Sequence, residues 1–297
     1  MSERELTVVV VVLAGGAALE RCLAALRPMP ADIVVIGRLN ATQRNALASA
    51  DRVRVIHSAE PVPRRRALAL AQTTTPWIAF CEDTCEPAAG WFDAFDAARR
   101  VAQADAWSGP ITLRTDLPAR CLALGALEYG EFAPLRWPRL AAGDGTPWRP
   151  MTRLAGLNLV YRGAALAALV QTHGLVETEV HDALRAAGRV IALHPGLAVT
   201  YSASDFAGAR WMARLQHGRI YGGGLRARLG ALRRAVALLK CAVLPAVLWA
   251  RGAAALPAQR RTDWQAHGWL WLLALAWSAG EAVGIAFGRG RSLQAWQ

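Results

Sequence analysis

Residues 7–13 read TVVVVVL, an unbroken β-branched run with no polar face. Such a run suits a strand buried on both sides of a parallel sheet. The period then changes: over 17–26, Leu19, Leu23 and Leu26 fall on one side of a helix. The alternation continues, with strands expected at 32–36 (DIVVI), 53–57 (VRVIH) and 76–80 (PWIAF) and helices at 42–49 and 64–72. This β-α-β-α order predicts an α/β fold with a doubly wound, mostly parallel sheet. Sheets of that kind bind ligands beyond the carboxyl ends of their strands, which directs interest to CEDTCEP at 81–87. Further on, helices are expected at 88–103, 163–170 and 177–187, and strands at 105–113, 156–161 and 189–193. Residues 115–150 show no clear period.

The chain has 297 residues and a net charge of +12, placed unevenly. Between Tyr201 and Gln297 there are twelve Arg and one Lys against Asp205, Asp263 and Glu281, and seven of the twelve Trp lie in the same stretch. A basic, apolar, Trp-rich segment suits an anionic membrane surface. Nucleic-acid binding is not expected, because basic nucleic-acid binders are polar and neither zinc spacing nor an aromatic RNA motif is present. Five cysteines without framework spacing predict a reducing setting. The opening MSERELTVVVVVLAGG has mixed charges and too short an apolar run for an export signal.

Two apolar stretches close the sequence, 235–250 and 266–287. The first is interrupted by Lys240 and Pro245, and only the second has the roughly 20 residues needed to cross a bilayer. Arginines precede, separate and follow the pair, yet positive charge marks one side only in spanning proteins. The expectation is therefore a helical hairpin lying in or re-entering one leaflet at the cytoplasmic face, with two true spans as the alternative. The division this implies is a catalytic-type domain over 1–225 and a membrane-association region over 226–297.

Glu82 and Asp83 are the strongest local chemical signal. Adjacent carboxylates at a strand end either hold a hard cation that bridges a diphosphate or form a solvated acidic turn. Glu177 and Glu179 open an expected helix, where the helix dipole alone would favour them. His181 follows Glu177 by four residues, about one turn, and Gln216 and Arg219 are three apart.

Taken in order, these pieces resemble a family-two glycosyltransferase of the GT-A fold. The matching stretches are VVVVVLAGGAALERCLAAL, PRRRALALAQTTTPWIAFCEDTCEPAAGW, ADAWSGPI, EYGEFAP at 128–134, GLNLVYRGAAL at 156–166, ETEVHDALRAAG at 177–188, QHGRIYGG at 216–223 and WSAGEAVGIAFGRGRSL at 277–293. The subgroup resembled is a membrane-associated bacterial type with a Glu-Asp metal motif. The resemblance implies a sugar moved, with inversion, from a nucleotide-sugar donor to an acceptor hydroxyl, which the tail suggests is lipid-linked or in the cell envelope. It implies Mg²⁺ or Mn²⁺ held by Asp83 and Glu82, and a donor touched by those two with Arg66 and Asn158. It implies Glu177, or Glu179, as the base, and His181, Gln216 and Arg219 near acceptor or phosphate. One departure stands out. After the second strand, where the family has an Asp, this chain has Gly37 and Arg38. The alternatives are a catalytically degenerate membrane-bound scaffold and a nucleotidyltransferase, whose phosphate loop would be LAGGAALERC.

Overall fold

Among the described residues eight strands form one sheet, with its least buried strands at the two edges. In the computed structural model, which describes residues 5–101, 104–134, 148–170, 174–203 and 210–295, β1 (Leu6–Val11) is buried along its whole length. β2 (Asp32–Gly37) and β4 (Trp77–Glu82) flank it in parallel, pairing Thr7 with Asp32 and Val11 with Glu82. β3 (Val53–His57), the least buried of the four, takes the edge. This parallel block comprises the strands expected from the β-branched runs.

Beyond β4 the sheet turns mixed. β9 (Asn158–Arg162) pairs antiparallel with both β4 and β6 (Ala106–Ser108). β10 (Ile191–Leu193) is parallel to β6, and β8 (Arg149–Pro150) closes the edge antiparallel to β10. The complete order is β3-β2-β1-β4-β9-β6-β10-β8. A second sheet has the order β5-β11-β7, from β5 (Cys85–Pro87), β11 (Val199–Tyr201) and β7 (Ile111–Leu113).

The single strand expected over 105–113 is therefore two, one in each sheet. Gly109 and Pro110 make the break. A side chain at Gly109 would overlap the Leu197 carbonyl, and Pro110 has no N–H to give a ladder.

The helices of this unit are α1 (Gly16–Leu26), α2 (Ala41–Ala48), α3 (Val62–Leu70), α4 (Trp91–Val101), α6 (Gly163–Ala167) and α7 (Glu177–Ala186). α2 starts with a complete capping box between Asn40 and Gln43. Strands and helices together make a compact unit from residues 1–112 and 134–202.

The other compact unit comprises residues 113–133 and 203–297. It is helical: α5 (Ala119–Tyr129), α8 (Arg210–Arg228), α9 (Ala231–Ala255) and α10 (Trp264–Phe287). The boundary expected at 225 falls inside α8, and α5 joins the tail rather than the sheet. α9 runs unbroken through Pro245 for 25 residues. α10 begins at Asp263, which accepts from the N–H groups of Gln265 and Ala266 at 3.0 and 3.1 Å.

α8 and α10 meet backbone to backbone. A methyl group at Gly218 or Gly222 would overlap the carbonyls of Trp277 and Glu281. One at Gly280 or Gly284 would overlap those of Leu215 and Arg219. Each helix thus offers two glycines one turn apart to the other, a pattern that lets helices approach closely.

Candidate functional site

The site grows from the carboxyl end of β4. That strand delivers Glu82 to the end of the sheet and passes directly into Asp83, Thr84 and β5. Asp83 is fully buried. Its Oδ1 accepts from Leu13 N at 2.9 Å and Ala14 N at 3.2 Å, and its Oδ2 accepts from Gly15 N at 2.6 Å and Ala14 N at 3.1 Å. Burial pushes the Asp83 carboxyl up, and the three backbone amides pull it back down. Asp83 is therefore the anchor of the loop between β1 and α1. Its carboxylate, expected from the sequence to hold a metal, is here turned to the amides of residues 13–15. The same contacts occupy the amides of Leu13, Ala14 and Gly15, three that a nucleotidyltransferase would turn to phosphate.

Glu82, one residue earlier, keeps a partly exposed side chain. Its carboxylate lies 3.5 Å from Arg66 Nη2, and the Thr84 hydroxyl is 3.4 Å from its Oε2. Beneath the turn lie three buried thiols, Cys22, Cys81 and Cys85, with Cys85 interacting with both of the others and its Sγ 3.3 Å from the Leu157 carbonyl. The bond to Cys85, followed by burial, holds the Cys81 thiol well above its ordinary value.

Arg66 comes from α3 and is 2% exposed. Its Nη1 lies 2.6 Å from Glu177 Oε1, and its Nη2 donates to the Gly156 carbonyl at 3.2 Å. Glu177 is the first residue of α7, where the N-terminal dipole also favours a carboxylate. Burial pushes the Glu177 carboxyl up, but the Arg66 guanidinium overcomes it and holds the group below its ordinary value. The chain thus brings Glu82, Arg66 and Glu177 together from β4, α3 and α7. Glu179 also lies in the first turn of α7, two residues on, and a helix sends such positions to different sides.

Two other residues expected near donor or acceptor are buried. Asn158 is fully buried: its Nδ2 donates to Leu197 O at 2.7 Å and its Oδ1 accepts from Trp91 Nε1 at 3.3 Å. His181 is 1% exposed, with its Nε2 2.7 Å from the Tyr161 hydroxyl. Burial, the largest influence, holds His181 down to about 4, so the ring is neutral. In both cases the partners are distant in sequence, so spacing gave no sign of them. Gln216 and Arg219 belong to the helical unit, where Arg219 Nε donates to Gly288 O at 3.1 Å.

Gly156 and Tyr161 are site residues that sequence reasoning did not single out. A side chain at Gly156 would overlap the Glu177 carboxylate. Tyr161 partners His181, and its hydroxyl is held up first by burial and then by the charge of Glu177. Among the described residues no group of three or more His, Cys, Asp or Glu is arranged to hold a metal ion.

The chain matches no protein-family model and no curated protein sequence. Several solved structures are similar in layout. GalNAc-T7, solved with UDP, GalNAc and Mn²⁺, is 13% identical over 67% of this chain and 43% of its own, with a TM-score of 0.49. The chain therefore spans less than half the length of that protein. The mannosyltransferase PcManGT from Pyrobaculum calidifontis, in complex with GDP-Man and Mn²⁺, is 16% identical over 92% of this chain and 87% of its own, also at 0.49. A mycobacterial protein is 15% identical over 67% and 68%, at 0.45. Overlap of this size is a loosely shared layout.

Proposed function

We propose that the chain is a nucleotide-sugar-dependent glycosyltransferase with a GT-A-like sheet, of the family-two type that its sequence resembles. The observation that carries this reading is the pairing of Glu82 and Glu177 on one buried guanidinium. One carboxylate stands at the end of a central strand, where nucleotides bind in such sheets, and the other opens a helix beside it.

In this reading Glu177 accepts the proton of the acceptor hydroxyl as that oxygen attacks the anomeric carbon, with inversion. The lowered proton affinity keeps Glu177 ionised, with lone pairs open to that proton, and makes it a weaker base than an unpaired carboxylate. Glu179 takes no part, because Glu177 shares the site with Glu82. Glu82 is the carboxylate suited to Mg²⁺ or Mn²⁺. A single carboxylate fits such an ion, which commonly takes one or two from the protein and the rest of its shell from water and phosphate. When bound, the ion would offset charge on the leaving diphosphate. Asp83 serves by fixing the first loop of the sheet, and Asn158 and His181 by fixing β9 and α7.

The helical unit adds a membrane surface. α10 is long and apolar enough to cross a bilayer, with a mean hydropathy of 1.6. α9 exposes Leu232, Val236, Leu239, Val243 and Val247 along one line. Arg260, Arg261, Arg289 and Arg291 flank α10. The reading is a hairpin held at the cytoplasmic face, next to a lipid-linked acceptor.

The test is turnover of a panel of UDP- and GDP-sugars with Mn²⁺, wild type against Glu177→Gln. Transfer should fall about 10²-fold or more in the variant, the usual loss for a missing general base, with the fold intact by circular dichroism. Gly37 and Arg38, where the resembled family has an acid, favour the catalytically degenerate scaffold as second reading. Donor binding without turnover anywhere in the panel would select it.

A further inference from the structure

The polar groups that face Glu177 come from three elements: Arg66 on α3, Tyr161 on β9 and His181 on α7 itself. Arg153 and Asp182 act in turn on His181. Among the described residues, Arg66 alone makes a direct ion pair with the carboxylate.

Arg66 is costly where it is. An arginine taken out of water loses much of its hydration, and apolar replacements of buried ion pairs are often as stable or more so. Its Nε has no hydrogen-bond partner among the described residues, and its Nη1 is taken up by Glu177 at 2.6 Å. An arginine kept merely to join α3 to α7 would be expected to use more of its donors than this.

The surroundings are built to bring the three groups together. Gly156 lends its carbonyl to Nη2 and, having no side chain, leaves the space that the Glu177 carboxylate fills. Nη2 is also the atom nearest Glu82. One guanidinium therefore measures the separation of the two carboxylates, with Nη1 on one and Nη2 on the other.

We infer that Arg66 is a positioning residue: it fixes where the Glu177 carboxylate stands relative to Glu82, and it is the counter-ion that Glu177 relies on. This rests on the reading of Glu177 as the base, yet the bridge is testable without turnover. It departs from a role for Arg66 in touching the donor, since the guanidinium is spent on protein groups.

The experiment uses the full chain with glutamate side chains labelled with ¹³C at the carboxyl carbon. The Glu177 resonance is assigned by its loss in Glu177→Gln and is titrated in wild type, Arg66→Met, Arg66→Lys and Gly156→Ala. Arg66→Met should raise the Glu177 midpoint by about one pH unit or more, the usual effect of removing an opposite charge. Arg66→Lys keeps a charge and should recover part of that shift. Gly156→Ala leaves every charge in place but should displace the carboxylate and move its resonance. An unmoved Glu177 midpoint in Arg66→Met overturns the inference. If that variant does not fold, an unmoved Glu177 in both Arg66→Lys and Gly156→Ala overturns it equally. A shifted Glu177 without any nucleotide-sugar turnover would remove the glycosyltransferase reading and leave the bridge standing.

Discussion

Asp83 Oδ2 accepts a hydrogen bond of 2.6 Å from the backbone N–H of Gly15, tying the end of β4 to the loop that follows β1. Asp83→Asn swaps one accepting oxygen for a donor that would face N–H groups. Leaving buried donors unmatched costs about 1–3 kcal/mol. The urea midpoint should fall accordingly, and an unchanged midpoint would mean that the loop finds its partners elsewhere.

Stability should also depend on pH through His181. The folded ring is held down to about 4, with burial the largest cause, whereas the unfolded ring titrates near its ordinary value of about 6.5. Between these values the unfolded chain binds the extra proton, so stability drops as pH falls through that window, by up to about 3 kcal/mol. Glu177 works in the same direction at lower pH. Its folded value lies below the unfolded one, so its contribution is present above the unfolded value and lost as pH falls through the folded one. His181→Gln keeps a partner for the Tyr161 hydroxyl and removes the titration. Unfolding of this variant should show a flatter profile between pH 4 and 6.5; a profile that overlays wild type would refute the assignment.

The glycine crossing makes a paired prediction. Gly280→Ala forces a methyl group into the Leu215 carbonyl, and forced overpacking costs about 1–3 kcal/mol. Gly268 lies on the same helix with nothing within 4 Å of an added methyl. Gly268→Ala should therefore stabilise by about 0.5–1 kcal/mol through helix propensity alone. Thermal unfolding of the two variants should shift Tm in opposite directions, and equal shifts would contradict the close approach of α8 and α10.

The membrane reading is checked by topology. Gln259, between α9 and α10, is exposed, whereas all five native cysteines are buried. A Gln259→Cys thiol should react in inverted vesicles and stay protected in intact cells. Labelling from outside intact cells would mean that the loop crosses the bilayer. Leu239→Glu, on the exposed line of α9, should weaken flotation with anionic vesicles without loss of helix content.

The parallel half of the sheet was legible because β-branched runs with helical interludes admit few arrangements. Of the short strands, β10 was expected within 189–193, but the division of 105–113 into two was not: the break at Gly109 depends on Leu197, which sequence periodicity cannot bring near. The carboxylates were found by type and place, but their division of labour was not. Asp83 and Glu82 are adjacent in sequence, and only the fold shows one turned to the amides of residues 13–15 and the other to Arg66. Asn158 and His181 carry the same lesson. A polar residue in a site-like motif looks alike whether it faces ligand or core, and its partners decide which. The glycines of α8 and α10 were visible in the sequence, but their meaning required both helices at once.

Those glycines have a mechanical consequence. Side chains at an ordinary helix crossing can change rotamer and let one helix slide on the other. Here carbonyls rest against Cα atoms, and no rotamer exists to absorb a displacement. α8 and α10 therefore act as one stiff strut, and a push on the apolar face of α10 reaches α8 without slack.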